Sequence, residues 1–519
     1  RDGQRLRQAE ALMPALRRLT SAAASRAWWL GLKLAGLIAA LSLAIVLGFT
    51  LYAVSMLPPL QPWHTERLHE EFSALRHGDL DFAGYLQREE KLFAELRETV
   101  AKWDSRDEAY RHGRFNPASA VNRLADGAPH NRSFRLTQRE PKGQALLVHG
   151  LSDSPYSMKA LAESLHARGF DVTVLRLPGH GTLPSMMTEM RTRDWTAAVR
   201  IAARDVAGRA SGGQPFYIGG YSTGGTLSLQ YTLDALEDKS LRRPDRVLLV
   251  SPAIELTKVA DLAAIIDALS IVPVPVLEKV RWQEITPEYD PYKFNSFPVN
   301  ASRQINRATK ALQKTLGRAR ESGRLAQMPP VVTWQSVVDS TVGSVGAADR
   351  LYASLDGDGH RLVLFDVNRE KRLASVQRPQ AGAMIERLTQ GKRGYVLEVV
   401  RNTDPGGAVV SVRHLAPDGT ESVRDTGLNW PVSVVSLGHV AMPFPPDDPV
   451  YGFIPGSGRA GIPSIGSWLL RGENGALTIS LSSLTRLRSN PFWSLIDADV
   501  GMLVATDLGS TDDVQPANR

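Results

Sequence analysis

Apolar positions along this 519-residue chain follow three different spacings. From Leu34 to Met56 they form an uncharged run, and about 23 residues at about 1.5 Å each would reach across a hydrocarbon core of about 30 Å. The run lacks the polar face of a buried surface helix. Trp28 and Trp29 precede it and Tyr52 and Trp63 sit towards its far end, where amphipathic rings favour a membrane interface. From Glu66 to Val100 the spacing becomes helical, with Leu68, Phe72 and Leu75 on one side and Phe82, Tyr85, Leu86, Phe93, Leu96 and Val100 on another. Asp81 is placed to cap the second helix.

Beyond about residue 130 short apolar runs alternate with helical patterns. Strands are expected at Ala145 to Val148, Asp171 to Leu175, Phe216 to Gly220, Arg246 to Val250, Val331 to Gln335 and Arg361 to Phe365. Helices are expected at Met158 to Arg168, Trp195 to Gly208 and Gln304 to Leu325. Such alternation predicts an α/β fold, a mostly parallel sheet flanked by helices on both faces. Residues 254–329 contain no clear strand and read as a helical lid, with a structural cap as the alternative. Tyr395 to Val400, Ala408 to His414 and Glu421 to Arg424 read as antiparallel strands of a β-rich insertion over about 370–428. Val434 to Val440 reads as a strand ending in His439.

The organisation expected from these patterns is a basic segment (1–33), a transmembrane helix (34–56), a juxtamembrane helical region (57–129) and a catalytic domain (130–510). Pro58, Pro59 and Pro62 would stiffen the exit from the span.

Charge sharpens the picture of the N-terminus. Arg1, Arg5, Arg7, Arg17, Arg18, Arg26 and Lys33 against Asp2 and Glu10 give residues 1–33 a net +5, leaving +2 of the chain's +7 for everything else. A nearly neutral body is a poor match for a polyanion, so nucleic acid is not expected as a partner. Basic residues crowd the N-terminal flank of the apolar run, whereas the first basic residue beyond it is Arg67. That asymmetry predicts a cytoplasmic N-terminus and a catalytic domain on the far side of the inner membrane. Ala53-Val54-Ser55 offers the alternative of a cleaved signal peptide. Cysteine is absent, which excludes disulfides, thiol catalysis and Cys-ligated metals.

The candidate chemistry centres on Gly220-Tyr221-Ser222-Thr223-Gly224. A strand pattern precedes it and a helix pattern follows, as a nucleophile elbow requires. Gly220 and Gly224 leave room for neighbouring strand and helix, and Ser222 is the candidate nucleophile. A serine hydroxyl needs a base within hydrogen-bond reach, and the base needs an orienting carboxylate. Asp339 and His439 follow Ser222 in the order this architecture demands. Asp349, His360 and His414 are alternatives, although His360 precedes a strand and His414 lies in the insertion. The tetrahedral oxyanion needs two donors, for which the N–H groups of Thr223 and of Leu151, in the loop His149-Gly150-Leu151-Ser152, are placed.

His149-Gly150, Leu177-Pro178-Gly179-His180-Gly181, the Ser222 elbow and Asp339-x-Thr341-Val342 together resemble the α/β-hydrolase superfamily. Within it they are most similar to the monoacylglycerol-lipase and carboxylesterase-like branch, which includes relatives labelled serine aminopeptidases. The resemblance spans about 130–345 and resumes near 430–450. It implies the α/β-hydrolase fold, Ser222, Asp339 and His439 as a catalytic triad, Leu151 and Thr223 as oxyanion donors, and a structural role for His180. Tyr221 and Thr223 stand where such relatives often carry His and Met, and the interval between Asp339 and His439 is longer than theirs.

The function expected is a membrane-anchored serine hydrolase acting on carboxylic, lipid-like acyl esters, with no cofactor and no metal. A peptidase or amidase of the same fold, a hydrolase-like scaffold and a lipid-binding protein are the alternatives.

Overall fold

The computed structural model of the chain describes residues 28–509 apart from 43, 46, 47, 49–51, 53, 105–107, 125, 256–277, 340, 344–345, 358, 372–377, 391, 405, 455–464 and 468–484. The described residues separate into two compact units, residues 28–58 with 278–280, and residues 59–255 with 281–509. In the first, residues 28–42 are helical and expose Trp28, Trp29, Leu34, Leu37 and Ile38. No helix among the described residues is long and apolar enough to cross a membrane. The expected span 34–56 falls partly outside them, as do most of the basic segment 1–33, Ala53 and the tail after 509.

The second unit is built on one ten-stranded sheet. Its strands are β1 (Phe134–Leu136), β2 (Gly143–Val148), β3 (Phe170–Leu175), β4 (Phe216–Tyr221), β5 (Arg246–Val250), β8 (Val331–Ser336), β9 (Arg361–Phe365), β10 (Val396–Asn402), β11 (Val409–Leu415) and β12 (Glu421–Asn429), while β6 (Trp282–Glu284) and β7 (Phe297–Pro298) form a separate hairpin. The order across the large sheet is β1-β3-β2-β4-β5-β8-β9-β10-β11-β12. β3 to β10 run parallel, with β1 antiparallel at one edge and β11 and β12 antiparallel at the other.

The central strands are buried on both faces, which is why they read in sequence as continuous apolar runs. Alternate residues supply two cores: Leu146, Val148, Ile218 and Leu249 face one, and Ala145, Leu147, Tyr217 and Leu248 the other. Helices α3 (Thr192–Arg209), α4 (Thr223–Glu237) and α5 (Val299–Glu321) cover the first face, and α2 (Lys159–Ala167) and α7 (Trp493–Asp507) the second.

Four expectations change. Only α1 (Phe82–Val100) is a long helix in the 66–100 stretch, capped by Asp81, whose side chain accepts from Gly84 N–H at 2.8 Å. Residues 66–73 are irregular because carboxylates take up their amides: Glu95 accepts from the N–H groups of His69 and Glu70, both at 2.9 Å. The stretch 370–428 extends the main sheet, with helix α6 (Gln380–Gln390) crossing from β9 to the parallel β10. Of residues 254–329, residues 256–277 lie outside the described set. The remainder holds the β6–β7 hairpin and α5, which places Ala301, Leu312, Leu316 and Ala319 in the main core. Residues 434–438 are not a strand, since β10, β11 and β12 occupy that side of the sheet, and His439 opens a single 3₁₀ turn, His439–Ala441.

Candidate active site

Strand order creates the site. The chain leaves β2 to form β3 on one side, then returns to form β4 on the other, so the carboxyl ends of β2 and β4 lie side by side where the connections diverge. Crevices in open parallel sheets form at such switch points. The register pairs Val148 with Gly220, which brings the loop after β2 against the elbow after β4.

Ser222 lies in that elbow with φ 54° and ψ −116°, a left-handed conformation that costs a non-glycine residue about 1–3 kcal/mol. Ser222 N–H donates to the Val250 carbonyl at 3.0 Å, and its own carbonyl accepts from Thr226 and Ala253 at 3.2 and 3.1 Å, which hold the turn. The two glycines are required sterically. A Cβ on Gly224 would stand 1.9 Å from the Val148 carbonyl oxygen, and one on Gly220 2.3 Å from the backbone of Gly224. Thr223 is the first residue of α4, where amides have no partner in the preceding turn.

Asp339 follows β8 and His439 opens its turn 100 residues later, and the fold brings them together. His439 Nδ1–H donates to Asp339 Oδ2 at 2.7 Å, both side chains being almost fully buried. A carboxylate only accepts, so this bond fixes the imidazole with Nε2 as its free basic nitrogen. Asp339 Oδ1 accepts from the N–H groups of Thr341 and Val342 at 2.9 and 3.0 Å, which locks the carboxylate in place.

Tyr221, which precedes Ser222 in the chain, packs against His439. Its ring lies 5.0 Å from the His439 ring, and its hydroxyl donates to the His439 carbonyl at 3.4 Å. Burial raises the Tyr221 phenol well above its ordinary pKa, with Asp153 and Asp339 adding to the effect, so it stays neutral. Among the described residues no hydrogen bond joins His439 to Ser222 Oγ. Catalytic contacts of this kind tighten on substrate binding.

The loop after β2 carries the other predicted residues. Leu151 packs its half-buried side chain beside Ala253, Ile305, Ala308 and Val342. His149 accepts at Nε2 from Leu177 N–H (2.9 Å) and donates from Nδ1 to the Gly150 carbonyl (2.7 Å), tying this loop to Leu177-Pro178-Gly179-His180-Gly181. Burial drives its pKa well below the ordinary imidazole value. His180 is likewise buried and lowered to about 4, with Nδ1 donating to Pro178. Both are neutral supports. Gly150 is needed for close approach, as a Cβ there would lie 2.8 Å from Asp153 and from the Tyr221 ring.

The rival residues are engaged elsewhere: Asp349 pairs with Arg387 (3.0 Å), His414 with Glu398 (3.1 Å), and His360 accepts from Val331 N–H (3.3 Å).

A cavity of about 220 Å³ opens beside Tyr221 and Val440, bordered by Ser152, Asp153, Lys293, Phe444, Arg486 and Arg488 among others. Sequence reading had no handle on most of these, because they converge from five separate segments. Ser152, Tyr221 and Val440 fall in stretches the sequence singled out, whereas Asp153, Lys293, Phe444, Arg486 and Arg488 do not. Lys293 Nζ lies 3.3 Å from the Asp153 carboxylate, while burial pushes that carboxyl up.

A strained serine turn on a central parallel strand, a buried Asp–His pair on following loops and helices on both faces make up the α/β-hydrolase fold. Residues 139–355 match the family model described as serine aminopeptidase, S33. The chain is 39% identical over 84 residues to the thermostable monoacylglycerol lipase of Bacillus sp. (strain H-257), a match covering 16% of this chain and 32% of that one, so the chain spans about a third of the relative's length. Among solved structures it is similar to that of the metagenome-derived lipolytic enzymes LipS and LipT (20% identity, 50% and 97% of the chains covered, TM-score 0.36). It is also similar to the Paleococcus ferrophilus monoacylglycerol lipase (17% identity, 50% and 98% covered, TM-score 0.34).

Proposed function

We propose that this chain is a serine hydrolase that cleaves carboxylic esters through Ser222, His439 and Asp339, with residues 130–510 as its catalytic domain. The observation that carries the reading is the 2.7 Å bond from His439 to Asp339 in loops that flank a strained serine elbow. His439 Nε2 takes the Ser222 proton as Oγ attacks the acyl carbonyl. The oxyanion so formed accepts hydrogen bonds from the N–H groups of Leu151 and Thr223. Collapse breaks the bond to the alcohol oxygen, which leaves with the proton from His439. A water molecule then repeats the sequence on the acyl-enzyme, releasing the acid and restoring Ser222.

The similarity to a monoacylglycerol lipase supports an ester, lipid-like substrate. The run 34–56 and its basic flank support a single-span anchor in the inner membrane, with the N-terminus cytoplasmic. The exposed apolar side chains of residues 28–42 suit that environment better than water.

Hydrolysis of p-nitrophenyl acyl esters and aminoacyl anilides, compared between wild type and Ser222→Ala, tests the proposal. Ester turnover should exceed anilide turnover and vanish in the variant while the circular dichroism spectrum stays the same. Equal ester turnover by the variant would refute it.

A further inference from the structure

Two arginines border the cavity beside Tyr221, and among the described residues no carboxylate neutralises them. We infer that Arg486 and Arg488 form an anion-recognising rim, so that the esters processed at Ser222 carry a carboxylate or phosphate group. The inference rests on the hydrolase reading of Ser222.

Both side chains line the cavity of about 220 Å³ together with Tyr221 and Val440, the chain neighbours of Ser222 and His439. Arg486 Nη2 donates to Thr341 Oγ1 at 3.0 Å, two residues beyond Asp339. On its other side, a Cβ placed on Gly438 would come 3.7 Å from Arg486 Nε, so the guanidinium spans the loops that carry Asp339 and His439. Its positive charge reaches the buried Tyr221 phenol. Arg488 lies close enough to the Tyr289 phenol for its charge to act on it. Each cation thus lies beside a neutral hydroxyl, and among the described residues neither forms an ion pair.

The third cation of the cavity differs, since Lys293 is matched to Asp153 at 3.3 Å. Glu284 is the cavity's other acid, and it is exposed. Hydroxyl partners fix a guanidinium in space without spending its charge, and the planar fork matches the paired oxygens of a carboxylate or phosphate. A neutral alcohol or acyl tail has no use for two such groups. In a recess next to the reacting carbonyl their attraction is screened less than on open surface.

The test compares kcat/KM of the full chain on matched pairs. Mono-p-nitrophenyl glutarate is set against p-nitrophenyl 5-methylhexanoate, which has the same shape without the charge, and lysophosphatidate against monoacylglycerol of the same acyl chain. Wild type should favour the charged member of at least one pair, and the responding pair tells carboxylate from phosphate. The Arg486→Ala/Arg488→Ala double variant should lower that ratio about tenfold, and the corresponding double Lys variant should lower it less. An unchanged ratio in the alanine variant overturns the rim. Wild type that turns over neither member overturns the hydrolase reading instead. Calorimetric binding of mono-p-nitrophenyl glutarate to the Ser222→Ala protein then decides the rim by itself, and equal affinity with and without the two arginines refutes it.

Discussion

Asp339 divides its two oxygens between two tasks. Oδ1 holds the turn through the N–H groups of Thr341 and Val342, and Oδ2 orients His439. The substitution Asp339→Asn separates them. A carboxamide oxygen can keep the turn, but its NH₂ cannot accept from Nδ1–H, so the imidazole moves its proton to Nε2 and ceases to be a base. The kcat for a p-nitrophenyl ester should fall by about 10⁴ with KM little changed and the fold intact. A fall of less than tenfold would mean that Asp339 does not orient the base. At this scale the candidate nucleophile was the most legible part of the site, because the two glycines of its turn are dictated by contacts of 1.9 and 2.3 Å that leave a fixed local spacing in the chain. Asp339 and His439 were legible only through chain order and the resemblance. Tyr221 was visible as an elbow residue but not as the neighbour of His439, and Arg486 and Arg488 left no local trace, since they reach the cavity from a distant segment.

Among the elements, the stretch from 62 to 100 is fastened to the loop that supports His149. Arg176, at the end of β3, has a side chain only 1% exposed and bridges Glu71 (2.9 Å) and Glu89 of α1 (2.7 Å). The same guanidinium donates to the carbonyls of Leu177 and His180, at 3.3 and 3.0 Å, while Glu71 accepts from Gly179 N–H at 2.9 Å. Removing a single member of a buried ion network leaves the others charged without compensation. Arg176→Ala should therefore lower stability by about 3–5 kcal/mol in urea unfolding. A loss below about 1 kcal/mol would show that the loop holds itself without this arginine. This network also explains where helical spacing misled. Residues 66–73 carry apolar positions at helical intervals, yet Glu71 and Glu95 draw the amides of Phe72 and His69 into irregular bonds. The central strands were legible because both of their faces are buried.

At the scale of the whole molecule, an open sheet of ten strands sets its switch point between β2 and β4 and gathers there residues as far apart in sequence as 149 and 439. The fold class follows from strand and helix alternation alone. The continuation of the sheet through β10, β11 and β12 does not, because an antiparallel pair has the same sequence pattern whether it extends a sheet or stands apart. The central claim is that this gathering activates one serine. Its most direct test is peptide mass spectrometry after treatment of the full chain with a fluorophosphonate, for wild type and His439→Ala. The structure predicts a single adduct on Ser222 of the wild type, formed at least a hundredfold more slowly when His439 is removed. An adduct on another residue, or none on folded wild-type protein, would contradict it.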